Sequence, residues 1–336
     1  MRKIALFAAI AATFCTVACN KEIADRIGND KASAVQVETA QLRLAIVGNG
    51  GPGTKTSDVE FDDNHALVAN IQFFVFDGEV LDSYKKITSG TSTSMTVKTG
   101  SKTVWAVVNA PDIINVATLT QLKAVSSALS HNGTNFVMVG SATASVPSED
   151  PIEIEVKRIV SRVLVKRITA AFNNPAYSSL NCKLVKMFLI NAPGDINLGL
   201  TAAPTSWYNR GAYESVSAVN DLLSTSGGNY NLNLGPYTTF GYHYCYPNPT
   251  VADIQAATWS ARHTRMVVEV ELGGDTFYYP ITLPVLEPGK SYEIESLTIT
   301  RKGADSPDTV ISLADATFEI NIKEWTVVPI TDGITI

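Results

Sequence analysis

Leu42-Arg43-Leu44-Ala45-Ile46 places an apolar side chain at every second position, and Ile71-Gln72-Phe73-Phe74-Val75-Phe76 extends the apolar theme up to the turn signal Asp77-Gly78. Successive side chains of a strand point to opposite faces, so a period of two marks a half-buried strand, and a short continuous apolar run marks one buried on both faces. The same signal recurs at Thr103 to Val108, Ile152 to Val156, Arg162 to Ile168, Leu184 to Ile190, Met266 to Leu272 before Gly273-Gly274, and Tyr292 to Thr300. Many short strands separated by Gly, Asn, Asp and Pro predict a mainly β protein built from β-sandwiches.

Helical spacing is rare by comparison. Val116, Leu119, Leu122, Val125 and Leu129 fall on one side of a helix that Asn115 or Thr118 can cap. A weaker helical stretch runs from Val251 to Ala257. The chain has 336 residues, enough for two cores at about 100 to 200 residues each. The near-continuous β pattern from Pro151 to Phe172 places the boundary near Arg158, which gives sandwich domains over 35–158 and 159–336. The basic residues in that stretch, Lys157, Arg158, Arg162, Lys166 and Arg167, are expected on a solvated strand face.

Composition narrows the function classes. Hydrophobic residues make up 45% and charged residues 17%, as in ordinary globular proteins, and a net charge of -6 argues against a phosphate backbone as partner. Met1, Arg2 and Lys3 open a basic start, Ile4 to Phe14 are apolar apart from Thr13, and Thr16-Val17-Ala18-Cys19 closes the segment. This is a secretory signal over 1–18, too short to span a membrane. Cys19 after a small-residue site is a candidate lipidated N-terminus, although Thr16 departs from the usual Leu of a lipobox. Plain secretion with an incidental Cys19 is the alternative. Residues 19–34 then read as a polar tether. Cys182 and Cys245 make no disulfide framework, and separate buried thiols or one bridge both fit them.

No constellation for catalysis, cofactor or metal emerges. Gly48-Asn49-Gly50-Gly51-Pro52-Gly53 is a literal G-x-G-x-x-G after a strand, but Thr54-Lys55-Thr56-Ser57-Asp58 carries no helical period to receive a pyrophosphate. A flexible loop is the better reading. The extra Thr54 between Gly53 and Lys55 also breaks a phosphate loop. His65, His131, His243 and His263 lie far apart; Glu60, Asp62, Asp63 and His65 read as a solvated turn, and His243 with Cys245 lacks a second ligand pair. Tyr242, Tyr244, Tyr246, Phe277, Tyr278 and Tyr279 read as strand packing before a sugar-stacking surface.

The two ends carry the unusual pattern. Ala40, Leu42, Leu44 and Ile46 form one apolar face opposite Gln41, Arg43 and Ala45, and Val328, Ile330, Ile334 and Ile336 form a similar face near the other end. An apolar strand near a chain end invites aggregation unless it is docked or meant for a partner.

With these features the chain resembles the FimA-type fimbrillins, the subunits of type V pili. The likeness runs through Cys19-Asn20-Lys21-Glu22, the strand Ala40 to Val47, Val68 to Gly78, Lys102 to Ala110, Val156 to Val163, Glu287 to Ile294 and Glu324 to Val328. Each piece is short; their order and spacing make the match. The resemblance implies two transthyretin-like β-sandwich domains, exported as a lipoprotein to the outer membrane. It also implies a trypsin-like protease that removes the first strand, opening a groove for a neighbour's C-terminal strand. Its partners are then other copies and related fimbrial subunits, the protease, and the membrane through lipid at Cys19. In the family the cut follows an Arg, whereas Lys55 is the sole basic residue between Ile46 and Val59 here. Two other readings remain open at this stage: a monomeric surface lipoprotein that binds glycan or protein, and an uncleaved anchor or tip subunit. An exported enzyme would require His243, His263 and the acids from Glu60 to His65 to converge in one cleft.

Overall fold

A computed structural model describes residues 38–48, 68–217, 219–239, 241–252, 258–309 and 316–324. The chain is mainly β. The first strands are β1 (Thr39–Gly48), β2 (Ile71–Asp77), β3 (Val80–Ile87), β4 (Ser92–Lys98) and β5 (Gly100–Val108). After the short helix α1 (Leu119–Ala124) come β6 (Ser126–Ala128), β7 (Met138–Val146) and β8 (Ile152–Arg158). Seven of these strands are hydrogen-bonded in the order β3-β2-β5-β7-β8-β1-β4. β8 carries the path from one layer to the other. It runs parallel to β1 from Ile152 to Val156, then pairs with β7 through Lys157 with Val139 and Arg158 with Met138. The inward rows of β1, β4 and β8 meet those of β2, β5 and β7 in one apolar cluster that includes Leu42, Leu44, Phe73, Val104, Ala106 and Ile154.

That crossing depends on a missing side chain. A Cβ on Gly140 would lie 2.1 Å from the Glu155 carbonyl oxygen, where β8 passes β7. Only glycine permits backbone to approach this closely.

The chain continues through β9 (Ser161–Val165), β10 (Ile168–Ala170), the turn α2 (Pro175–Ser178), β11 (Cys182–Ile190), β12 (Ala192–Pro193), β13 (Asp195–Asn197) and β14 (Trp207–Tyr208). It ends in the turn α3 (Asn220–Leu223), β15 (Ser224–Asn231), β16 (Gly241–Cys245), β17 (Arg265–Leu272), β18 (Asp275–Thr282), β19 (Lys290–Ile299) and β20 (Ala316–Glu324). One sheet has the order β10-β19-β9-β16 with β20 on the other edge of β19, and a second has the order β15-β11-β17-β18. Val163, Val165, Ile294 and Ile299 from the first share a core with Leu184, Val268, Val270 and Ile281 from the second.

The outer face of the first sandwich is covered as well. Phe74, Phe76, Trp105 and Val107 pack with Leu119, Leu122 and Phe136, and the same cluster continues through Ile196 and Tyr246 into the second sandwich. β6 pairs with β13 across this junction.

Three expectations change in detail. The helix expected to carry Val116 through Leu129 is confined to α1, because the backbone after Ala124 is taken into β6 by its pairing with β13. Thr118 is its cap and makes a reciprocal capping box with Gln121, whereas Asn115 sits in the left-handed region at φ 60°. The strand expected over Arg162 to Ile168 is interrupted at Lys166-Arg167, level with a register shift in β19 between Ile294 and Leu297. Among the basic residues, Lys157 and Arg167 are exposed, but Arg158 and Arg162 are each only 4% exposed. Arg158 lies over the Phe136 ring, and Arg162 donates to Ser291 Oγ at 2.9 Å beside Glu293. Alternation sets which residues share a face but not whether that face is covered. The weaker helical stretch from Val251 lies outside the described residues beyond Ala252.

Gly140→Ala is expected to wedge β7 and β8 apart and lower unfolding stability by about 1–3 kcal/mol, the usual cost of overpacking. Urea denaturation checks this, and an unchanged midpoint would show that the crossing tolerates a side chain.

Candidate functional site

β1 is a central strand made of residues far in sequence from its two partners. It runs antiparallel to β4 from Thr39 to Ala45 and parallel to β8 from Leu44 to Gly48. Leu42 and Leu44 are 0% exposed and Ile46 is 5% exposed, with Ala40 half-buried at the start of the row. Gln41 and Arg43 point outward, and Gln41 donates to Thr96 Oγ1 at 2.7 Å. Met95 and Val97 of β4 and Ile154 and Val156 of β8 form the walls, while Phe73, Val75, Val104 and Ala106 form the floor. Burying three such side chains stabilises the sandwich by about 4–9 kcal/mol, as an upper estimate. Without β1, β4 and β8 would become free edges above an apolar trough.

A charged group closes the Thr39 end. Lys102 shares the inward phase of Val104, Ala106 and Val108 and is 1% exposed. Its Nζ lies 3.1 Å from Asp77 Oδ2 and 3.8 Å from Asp82 Oδ2. Asp82 in turn accepts the Lys98 backbone N–H at 2.8 Å, beside the Thr39 pair. The sequence reading did not single out Lys102; its parity with the buried valines of β5 was the available signal.

At the other end of the chain, β20 pairs with β19, and among the described residues it has no second strand partner. Lys323 on β20 meets Glu293 of β19 at 2.8 Å, and Lys166 meets the same carboxylate at 2.7 Å. Burial alone would raise the Glu293 carboxyl, but these two hydrogen bonds outweigh it and hold the group below the usual carboxylate range. The chain between β19 and β20 is anchored at Asp308, whose carboxylate meets the buried guanidiniums of Arg262 and Arg265.

Several residues singled out in the sequence lie outside the described residues: Cys19, Lys55, Glu60, Asp62, Asp63, His65, Val328, Ile330, Ile334 and Ile336. The others do not converge on chemistry. His243 is fully buried with Nε2 3.2 Å from the Met187 carbonyl oxygen, and burial pushes its pKa down to about 4. Cys182 and Cys245 are free thiols in the core, pushed up to about 11 and about 12 by burial. Among the described residues no group of three or more His, Cys, Asp or Glu could hold a metal ion, and no helix is long and apolar enough to cross a membrane. The six aromatic residues form no open platform. Tyr246 and Tyr279 are 0% exposed, and Tyr246 places its hydroxyl 2.8 Å from Ser127 Oγ.

No family model and no curated protein matches the chain. Solved structures do. A Bacteroides eggerthii protein provisionally named a cell adhesion protein superposes with a TM-score of 0.62 at 18% identity, covering 86% of this chain and 96% of that one. A fimbrilin, FimA, of Porphyromonas gingivalis W83 gives 0.61 at 16% identity, covering 87% and 99%. A Parabacteroides distasonis protein, also provisionally named for cell adhesion, gives 0.58 at 15%, covering 86% and 100%. At these identities the likeness establishes a shared fold, and the FimA-type resemblance holds at that level.

The buried His243 makes stability pH-dependent. Its folded pKa lies below the unfolded value near 6.5, so its contribution is complete above about pH 7 and is lost as pH falls toward 4. Between pH 7.5 and 4.5 the loss from this residue is about 2–3 kcal/mol. His243→Gln should flatten the urea-derived stability profile by that amount, and parallel profiles for the two proteins would place the titration elsewhere.

Proposed function

We propose that the chain is a structural subunit of a cell-surface fimbria, a type V pilus protein that supports adhesion and has no catalytic role. The observation that carries this reading is β1, a separable strand whose apolar row fills a groove between β4 and β8, in a fold shared with a fimbrilin. The seven-stranded sandwich ends at Arg158 in this reading, and the second sandwich leads through β20 to the tail.

The subunit is exported with Cys19 as its lipidated N-terminus and held at the outer membrane by that lipid. A trypsin-like protease then cuts after Lys55, the sole basic residue between Ile46 and Val59. While the loop is intact, β1 is the favoured occupant, because its effective concentration is set by a short connection. Cutting ends that advantage. A strand from a neighbouring subunit can then take the seat of β1, pairing its backbone with β4 and β8 and burying alternate side chains. The tail residues Val328, Ile330, Ile334 and Ile336 are offered in the same way to another subunit's groove. The partners are therefore fimbrial subunits and the processing protease, and no cofactor is required. An uncleaved anchor or tip position is the second reading, favoured by the absence of an Arg in the loop after β1.

N-terminal sequencing of the chain from surface fibres should begin at Thr56. A chain that still carries Leu42 to Ile46 would instead mark an uncleaved anchor or tip subunit. Deleting 328–336 should leave a folded, exported protein that joins no further subunit, and Ile330→Asp should act nearly as strongly. Fibre length and composition in surface extracts read this out, and unaltered fibres would refute the role of the tail.

A further inference from the structure

The inward row of β1 is graded along its length. From the Gly48 end it runs Ile46, Leu44 and Leu42, each 5% exposed or less, then the small half-buried Ala40, then the exposed Glu38. The floor beneath is graded in the same direction. β4 ends at Lys98, opposite Thr39, and β5 starts two residues later, so the start of β5 lies at the Thr39 end of the trough. Its inward row runs back from Val108 through Ala106 and Val104, each fully buried, and ends at Lys102, which is paired across to Ala144 of the same core. The large apolar side chains of the strand stop where the apolar floor stops.

A charged bridge stands at that point. Lys102 Nζ lies 3.1 Å from Asp77 Oδ2 and 3.8 Å from Asp82 Oδ2, and the same Asp82 oxygen accepts the Lys98 backbone N–H at 2.8 Å. Lys98 is the residue opposite Thr39, and Val97 the residue opposite Ala40. The Lys102 and Asp82 side chains are almost wholly shielded from solvent, so an apolar side chain pressed against them could not be relieved by water. Slips of the strand have unequal costs beside this bridge. A slip of one residue turns the whole apolar row outward. A slip of two toward the Gly48 end keeps the parity but sets Ala40 in the pocket of Leu42, forfeiting the burial of a large side chain. A slip of two toward the Thr39 end keeps three large side chains inward and carries Leu42 to the place of Ala40, against the ions.

We infer that Lys102, held between Asp77 and Asp82, is the register stop of the β1 seat. It is a positioning residue: it makes the place of Ala40 costly for a large apolar side chain, and so fixes which residues of a seated strand pair with β4 and β8. The inference rests on the strand-replacement reading above and gives it a rule. The strand from a neighbouring subunit that takes the seat is aligned by its last large apolar residue, which comes to rest in the pocket of Leu42.

Full-length protein carrying Thr96→Cys, cut within 49–67 with β1 still seated, provides the test. Two peptides of residues 39–48 are offered in excess, both with Gly48→Leu, so that the register shifted toward the Thr39 end would still fill every pocket of the row. One carries Gln41→Cys and the other Arg43→Cys. Thr96 lies opposite Gln41, so a disulfide at residue 96 reports the native register through the first peptide and the shifted register through the second. Trapped products are identified by mass spectrometry. The first peptide should be trapped at least about tenfold more than the second, and Lys102→Met should bring the second close to the first. If Lys102→Met does not fold, Lys102→Met with Asp82→Asn takes its place, since it removes both buried charges. Equal trapping of the two peptides with Lys102 intact would overturn the stop while leaving strand replacement standing. A bias that survives the loss of Lys102 would assign the register to shape and overturn the role of this residue. Failure of both peptides to displace β1 would overturn strand replacement itself, and this inference with it.

Discussion

The first sandwich depends on one strand held at two edges. β1 enters the sheet beside β4 and β8, and its inward leucines and isoleucine are the apolar contents of the trough between them. The connection to β2 spans residues 49–70, so β1 is joined covalently at one side only of the layer it completes. Its retention therefore depends on noncovalent burial together with effective concentration. Under the proposed function, cutting the connection would end the effective-concentration advantage and leave the burial for another strand of the right pattern to match.

Other features define the seat that β1 occupies, and under the proposed function they would define the receptor it leaves behind. The close approach at Gly140 lets β8 pass β7 where it leaves one layer for the other. Lys102, Asp77 and Asp82 close one end with charge, so a sliding strand would carry apolar side chains onto buried ions. The apolar cluster between the two sandwiches, reinforced by the β6–β13 pair and the buried Tyr246 hydroxyl, supports the outer side of the same sheet. In the second sandwich, β20 is held by Lys323 on Glu293 and by the Asp308 anchor before it. The last described strand is paired with β19 up to Glu324, opposite Lys290.

Much of this was legible in the sequence because strand alternation is a local signal. The faces Ala40 to Ile46 and Ile152 to Val156 lie where their parity placed them, the continuous run Ile71 to Phe76 is buried on both faces, and Thr118 was one of the two caps the helical spacing offered. What the sequence did not reveal depends on partners distant in the chain. The helix stops after Ala124 because Ser126–Ala128 pairs with residues 195–197, about seventy positions away. Arg158 and Arg162 are buried because aromatic rings and Ser291 reach them from other strands. The groove itself illustrates both cases. The apolar row of β1 could be read directly, whereas its central place between β4 and β8 follows from topology.

The most direct measurement is the identity of the chain segment that lies between β4 and β8 in an assembled fibre containing this subunit, read from density by electron microscopy. The account predicts a strand that does not belong to residues 39–48 of the same molecule, with alternate apolar side chains in the pockets of Leu42, Leu44 and Ile46. Density that traces residues 39–48, still continuous with β2 in subunits within the fibre, would contradict it.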